Sequence, residues 1–275
     1  MNRNGHGPSA RDSQFESSAQ YLLFTSKVKH GHFLRYLLAI QARRRLLETY
    51  KLWRQVKSSA LTGDPDQVFE VYYVEGSHRL SQDSQPFDAL LELMSREDAV
   101  RYRAIQEAID AEKQDMQEMM ERDRPVIPHS RILFQMPYMT RLSSQESQGG
   151  EFTQEIATDP YLLNVICVLN HEGNSEGNTR DLESVVSEFD GYMTRLIPSF
   201  AQSGFSLLVG GRFKDHPDWL LNIWQFSNLE QHTDLMMKLA DNELYGKLDE
   251  LCLQEQHICR NVSRYQQHQP LLMLT

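Results

Sequence analysis

The chain has 275 residues, 40% hydrophobic and 24% charged, an ordinary composition for a soluble globular protein and enough for one large domain or two of usual size. A net charge of −10 argues against general nucleic-acid binding, and no apolar run approaches the ~18–20 residues of a membrane helix. The three cysteines, Cys167, Cys252 and Cys259, lack metal-ligand spacing, and their sparse, odd number fits reduced thiols and a cytoplasmic location.

Residues 1–18 are polar, hold Gly5, Gly7 and Pro8, and have no apolar core of the signal-peptide kind, so they read as a disordered leader. An N-terminal module is expected over 19–142. Residues 21–29 form its first strand and 33–48 its first helix. Residues 50–57 (YKLWRQVK) read as the second strand, with extension of the helix as the alternative. Residues 60–67 (ALTGDPDQ) carry turn chemistry, and 68–75 (VFEVYYVE) form the third strand. Residues 87–94 are an irregular lead-in to a long helix over 95–122, stopped by Pro125 and Pro128, and 131–136 form the fourth strand.

Charge is uneven along this half. From Lys27 to Lys57 there are nine Lys or Arg against one acid, Glu48, whereas acids outnumber bases from Glu92 to Asp123. Two oppositely charged helices lying side by side on one sheet account for this; an anionic ligand at Arg43, Arg44 and Arg45 is the functional alternative.

The run SSQESQGG at 143–150 opens a linker, placed over 143–158, and a second module is expected over 159–268. Its first strand is 161–170 (YLLNVICVLN). Leu182, Val185, Val186, Phe189, Met193, Leu196, Ile197 and Phe200 recur at helical spacing, with Thr179 or Asp181 as the cap. Strands at 205–213 and 219–226 flank the turn KDHPD, a helix spans 228–253, and a last strand begins at 257. Gly210-Gly211 marks a bulge or a close backbone approach; no helix follows in the position a phosphate loop needs.

Both halves thus read β-α-β-β-α-β, the split βαβ order of a ferredoxin-like module. A four-stranded sheet with helices on one face leaves its other face open, and two such faces in one chain can bury each other. The predicted fold class is α+β: tandem ferredoxin-like modules, internally duplicated, with facing sheets forming an α/β barrel.

Residues 220–229 (LLNIWQFSNL) resemble the NIPSNAP family of the dimeric α/β-barrel superfamily, in which a strand of pattern apolar-His-Ile-Trp-small-Tyr precedes an Asp/Asn-Leu helix start. Ile223, Trp224, Phe226, Asn228 and Leu229 fill the pattern. Asn222 stands where His is common, which puts any carried-over histidine role in doubt. Leu239-Ala240-Asp241 and Tyr245 resemble the family's second helix. The resemblance covers 161–265, and the N-terminal half only by its order of elements. The superfamily includes small cofactor-free monooxygenases, haem-degrading enzymes and polyketide cyclases, so the resemblance implies a fold and leaves the chemistry open.

Strand alternation sorts the polar residues. With Leu163, Val165, Leu221 and Ile223 facing the helices, Asn164, Asn222, Trp224 and Arg260 face the other way, together with Arg212. Convergent polar groups among apolar walls suit a ligand cavity; the alternative is a sheet–sheet interface whose polar groups satisfy one another. In the N-terminal module Glu70 matches Asn222, and Tyr72 matches Trp224. A carboxylate within VFEVYYV would be partly desolvated and suited to general-base work, with Arg131 opposing that shift. His30 and His32 lack a third ligand for a metal site, so no metal is predicted. No nucleotide loop or nucleophile elbow is present.

The expectation is a small-molecule-binding protein without a resident cofactor, monomer or homodimer, with neither nucleic acid nor membrane as partner. Its chemistry would be monooxygenase- or cyclase-type tailoring of an apolar or aromatic metabolite, with Glu70 as base and Arg260 and Asn222 steadying negative charge. The alternatives are a non-catalytic protein-interaction module and a haem protein ligated through His232 or His257.

Overall fold

The computed structural model describes residues 20–29, 31–50, 52–60, 67–74, 86–113, 130–139, 161–170 and 180–261. The expected linker at 143–158 and leader at 1–18 lie outside them. The N-terminal half contains β1 (Gln20–Lys27), α1 (Phe33–Thr49), β2 (Leu52–Ala60), β3 (Gln67–Val74), α2 (Pro86–Leu93), α3 (Arg96–Ala111) and β4 (Ser130–Gln135). The C-terminal half contains β5 (Tyr161–Leu169), α4 (Leu182–Gln202), β6 (Ser206–Phe213), β7 (Trp219–Phe226), α5 (Leu229–Ala240), α6 (Glu243–Leu251) and β8 (Cys252–Asn261).

Most departures from the sequence reading have local causes. The strand expected after α1 is present and is no helical extension, since β2 pairs along its length with β3; the departures lie elsewhere. Residues 86–93 are helical rather than irregular; α3 restarts because the Ser95 side chain accepts from the Asp98 amide. That helix stops at Ala111, short of 122, where Lys29 N–H bonds the Glu112 carbonyl and Val28 bridges Lys113. The single helix expected over 228–253 is two. The Asn242 side chain accepts from the Leu244 and Tyr245 amides and so starts α6 afresh, and β8 then begins at Cys252. Asp181, not Thr179, caps α4 by accepting from Ser184 N–H.

All eight strands join one closed antiparallel barrel in the order β1-β3-β2-β8-β5-β7-β6-β4. Within each half the fourth strand lies beside the first, the first beside the third and the third beside the second. The two half-sheets therefore meet edge to edge instead of stacking as separate facing layers. At one seam Ser58 lies opposite Asn261 and Ala60 opposite Cys259. At the other Leu133 lies opposite Phe213 and Gln135 opposite Gly211. A Cβ on Gly211 would sit 2.9 Å from Leu133 Cβ, so the second seam depends on a residue without a side chain.

The barrel interior is one apolar cluster that includes Leu23, Phe69, Val71, Leu133, Leu162, Ile166, Leu221 and Ile223. Outside it, α4, α5 and α6 cover the C-terminal strands, while α1, α2 and α3 cover the N-terminal ones. Closure leaves β1, β3, β5 and β7 buried on both faces. Among the described residues no helix is long and apolar enough to cross a membrane.

Leu221→Ala should therefore cost about 2–5 kcal/mol in denaturant unfolding, as a deletion inside a packed core. Leu253→Ala, at a side chain 76% exposed, should stay within about 0.5 kcal/mol of the parent. Equal, small losses at both sites would contradict a packed barrel interior.

Candidate ligand cavity

Strand register decides which side chains share a face. Leu163 lies opposite Trp224 and Val165 opposite Asn222, and this set looks outward to the helices. Ile166 lies opposite Leu221 and Asn164 opposite Ile223, and this set looks into the barrel. The expected faces are thus correct for β5 and inverted for β7: Trp224 is beneath the helices and Leu221 is inside the barrel. Asn164 is separated from Asn222 and Trp224 by the sheet itself.

Between the C-terminal sheet and its helices lies a cavity of about 20 Å³. Leu163, Val165, Cys167, Asn222 and Trp224 form its floor. Met193 and Phe200 from α4, Met236 from α5, and Tyr245 and Leu248 from α6 form its roof, and Gln254 and Gln256 of β8 complete the lining. The Trp224 ring stacks on Phe200 with centroids 4.3 Å apart at 21°. Gln256 Nε2 donates to the Tyr245 hydroxyl, which in turn donates to Gln254 Oε1 at 3.4 Å. Burial raises the Tyr245 pKa above its ordinary value, so this hydroxyl keeps its proton.

Asn222 is held from the other half of the chain. The Tyr138 hydroxyl, just beyond β4, donates to Asn222 Oδ1, and Tyr138 N–H donates to the buried carboxylate of Asp190 on α4 at 2.8 Å. Asn222 Nδ2 has no hydrogen-bond partner among the described residues.

The other expected site residues lie elsewhere. Arg212 donates to both oxygens of Glu183, at 2.9 and 3.2 Å, and to the Pro217 carbonyl, which ties β6 to α4 and to its own hairpin. Asn164 Nδ2 donates to Cys259 Sγ at 3.4 Å inside the barrel. Arg260 sits on β8 opposite Tyr161, with its side chain outside the described residues.

Glu70 and Tyr72 occupy in β3 the places that Asn222 and Trp224 occupy in β7, opposite Phe24 and Leu22 respectively. There the space beneath the helices is filled. Arg43 of α1 reaches in, 1% exposed, and its Nη2 lies 3.0 Å from Glu70 Oε1. Tyr36 and Tyr72 hydroxyls donate to the same carboxylate at 3.3 and 2.7 Å. Arg43 Nη1 donates to Gln106 of α3, and the guanidinium lies 4.7 Å from the Phe24 ring centroid. Burial works to lower the Arg43 pKa, but the Glu70 carboxylate, with the surrounding phenols, raises it well above its ordinary value. Glu70 is consequently a paired anion within a packed cluster, not a lone carboxylate at a cavity wall. Arg131, expected near it, lies instead 3.6 Å from Asp215.

Sequence reasoning named Arg43 only within a basic run open to an anionic ligand and did not pair it with Glu70, and it missed Tyr138 and the methionine roof. Arg43 was detectable, because Tyr36, Ile40, Arg43 and Leu47 fall on one helical stripe. Tyr138 follows the last expected strand of its module and has no periodic signature.

The described histidines do not converge. His32 pairs with Glu112, and His257 lies 3.2 Å from Glu255. The His232 ring tilts over Phe226, and burial lowers its pKa. His30 is outside the described residues. Among the described residues no histidine lines the cavity, so it offers no imidazole to a haem iron. Among the described residues no group of three or more His, Cys, Asp or Glu could hold a metal ion.

The sequence matches no known family signature and no curated protein. Among solved structures the chain is similar to a "putative monooxygenase" from Fusobacterium nucleatum, at 7% identity and TM-score 0.54, over 89% of this chain and 93% of that one. The fold is that of the dimeric α/β barrel. A "putative monooxygenase" from Lactobacillus acidophilus (8% identity, 88% and 94% covered, TM-score 0.49) is a weaker match. So is a mutant chlorite dismutase from Candidatus Nitrospira defluvii (12% identity, 91% and 94% covered, TM-score 0.48). Likeness at these identities concerns the fold alone.

Two outcomes follow from this geometry. Glu70→Gln or Arg43→Met alone should each cost about 3–5 kcal/mol in chemical unfolding, and the double replacement Arg43→Met/Glu70→Gln, which keeps an acceptor for Tyr36 and Tyr72, should cost clearly less than the sum of the two. Cys167, Cys252 and Cys259 are each at most 3% exposed, so a thiol reagent should leave all three unmodified in the native protein and modify all three in guanidinium.

Proposed function

We propose that this chain is a small-molecule-binding protein whose C-terminal half is NIPSNAP-like and takes an apolar or aromatic ligand between its sheet and helices. The supporting observation is the contrast between the halves. The same place is filled by a paired Arg and Glu in one half, and in the other is lined by a stacked Trp, two methionines and an amide with a free donor. We further propose that the matching strand order reflects an internal duplication, with modules over 19–142 and 159–268 joined through 143–158. The barrel closes within one chain, so no second subunit is required to complete the sheet.

At about 20 Å³ the cavity holds little more than a water molecule, and a ring must displace part of the roof. Met193 and Met236 are the side chains suited to that movement, being unbranched and adaptable. The lining contains neither carboxylate nor histidine. It is built to hold a neutral ligand rather than to remove a proton, and Glu70 has no part in it. Monooxygenase- or cyclase-type tailoring would then draw its reactivity from the substrate itself.

The small volume also favours a second reading, a non-catalytic interaction module with a self-filled interior. Native mass spectrometry with absorbance spectroscopy of the protein as isolated separates the two. The ligand reading expects a retained organic species, and Trp224→Ala weakening its binding at least ~10-fold, about 1.4 kcal/mol. A ligand-free parent that binds none of a library of aromatic fragments would leave the interaction module as the better account.

A further inference from the structure

We propose that Tyr138, delivered by the N-terminal half, sets the hydrogen-bond polarity of the C-terminal cavity, so that the cavity selects ligands presenting a neutral acceptor over ligands presenting only a donor. This deepens the cavity reading and rests on it.

An asparagine amide can offer a ligand either its oxygen or its nitrogen, depending on how it is turned. Here the turn is fixed by a neighbour. Tyr138 is 1% exposed, and among the described residues its hydroxyl proton has no acceptor except Asn222 Oδ1. Rotating the amide would strand a buried hydroxyl, which is unfavourable. Deep burial also keeps the phenol protonated, so it remains a donor.

The ring itself has little freedom. Its backbone N–H is held by Asp190, and Met136 N–H bonds the Gly210 carbonyl at 2.9 Å. A Cβ on Gly210 would lie 2.4 Å from Tyr138 Cε2, so the ring packs directly on the bare backbone of β6. Tyr138 thereby presses Asn222 into one orientation, and the unpartnered Nδ2 of a residue 98% buried is left to serve the cavity. Tyr138 is a positioning residue: it does not line the cavity, and it acts through Asn222.

The test uses the full chain with asparagine labelled by nitrogen-15, and two sets of uncharged ring probes. Acetophenone and quinoline are acceptors only; indole and carbazole are donors only. Titrations followed at the Asn222 side-chain amide should show the acceptor probes binding at least ~10-fold tighter, the worth of one good hydrogen bond. In Tyr138→Phe, with the backbone amide spectrum confirming the fold, the preference should collapse as the amide becomes free to turn. Equal affinity for both sets in the parent overturns the proposal, as does a preference that survives Tyr138→Phe. If no probe of either set binds, the cavity reading fails. The locked amide is then judged on its own: an Asn222 side-chain signal unchanged in Tyr138→Phe overturns it, and one that broadens or averages upholds it.

Discussion

Edge-to-edge closure of the sheet is the constraint on which the rest of the molecule depends. Each half alone would expose the unpaired edges of its second and fourth strands and one wide apolar face. Pairing the second strand of each half with the fourth of the other removes the edges and buries the face in a single step. The barrel interior is then occupied by Leu, Ile, Val and Phe, with Asn164 among them. The cavity among the described residues lies on the outer side, beneath the C-terminal helices.

That outer space is treated in opposite ways by the two halves. In the N-terminal half Arg43, Glu70, Tyr36 and Tyr72 fill it with a hydrogen-bonded, charge-paired plug. Such a plug contributes little net stability over an apolar filling, yet it is intolerant of losing either partner. In the C-terminal half the matching positions carry Asn222 and Trp224, and the helices contribute methionines instead of a cation. The difference between a sealed and an adaptable interior thus comes down to a few outward-facing positions on equivalent strands.

The order of the strands and of the main helices was legible in the sequence because it depends on local signals, β-branched runs, the KDHPD turn, and helical spacing from Leu182 to Phe200, whereas the breaks before α3 and α6 depend on the Ser95 and Asn242 caps. Which face of β7 looks outward was not legible. WLLNIWQF is apolar almost throughout because both its faces are buried, and period-two alternation disappears in such a strand. Only the pairing register with β5 sorts Trp224 from Leu221, and register is a long-range property. Arg43 had a usable signal, a charged residue on an apolar helical stripe. The Tyr138–Asn222 contact had none, since it joins the two halves of the chain across the sheet–helix boundary.

The two seams also bear on how the molecule assembles. Within each half the third strand pairs with the first and second at close range, while the fourth returns to the first across a longer stretch. At one seam Ser58 must find Asn261, the most distant partners along the chain of any aligned strands among the described residues. Closing so long a loop carries the largest entropic cost in the barrel. The β2–β8 seam is thus the natural last pairing. Until it forms, β2 and β8 present bare edges to any neighbouring chain, and an exchange of halves between two molecules competes with closure of one.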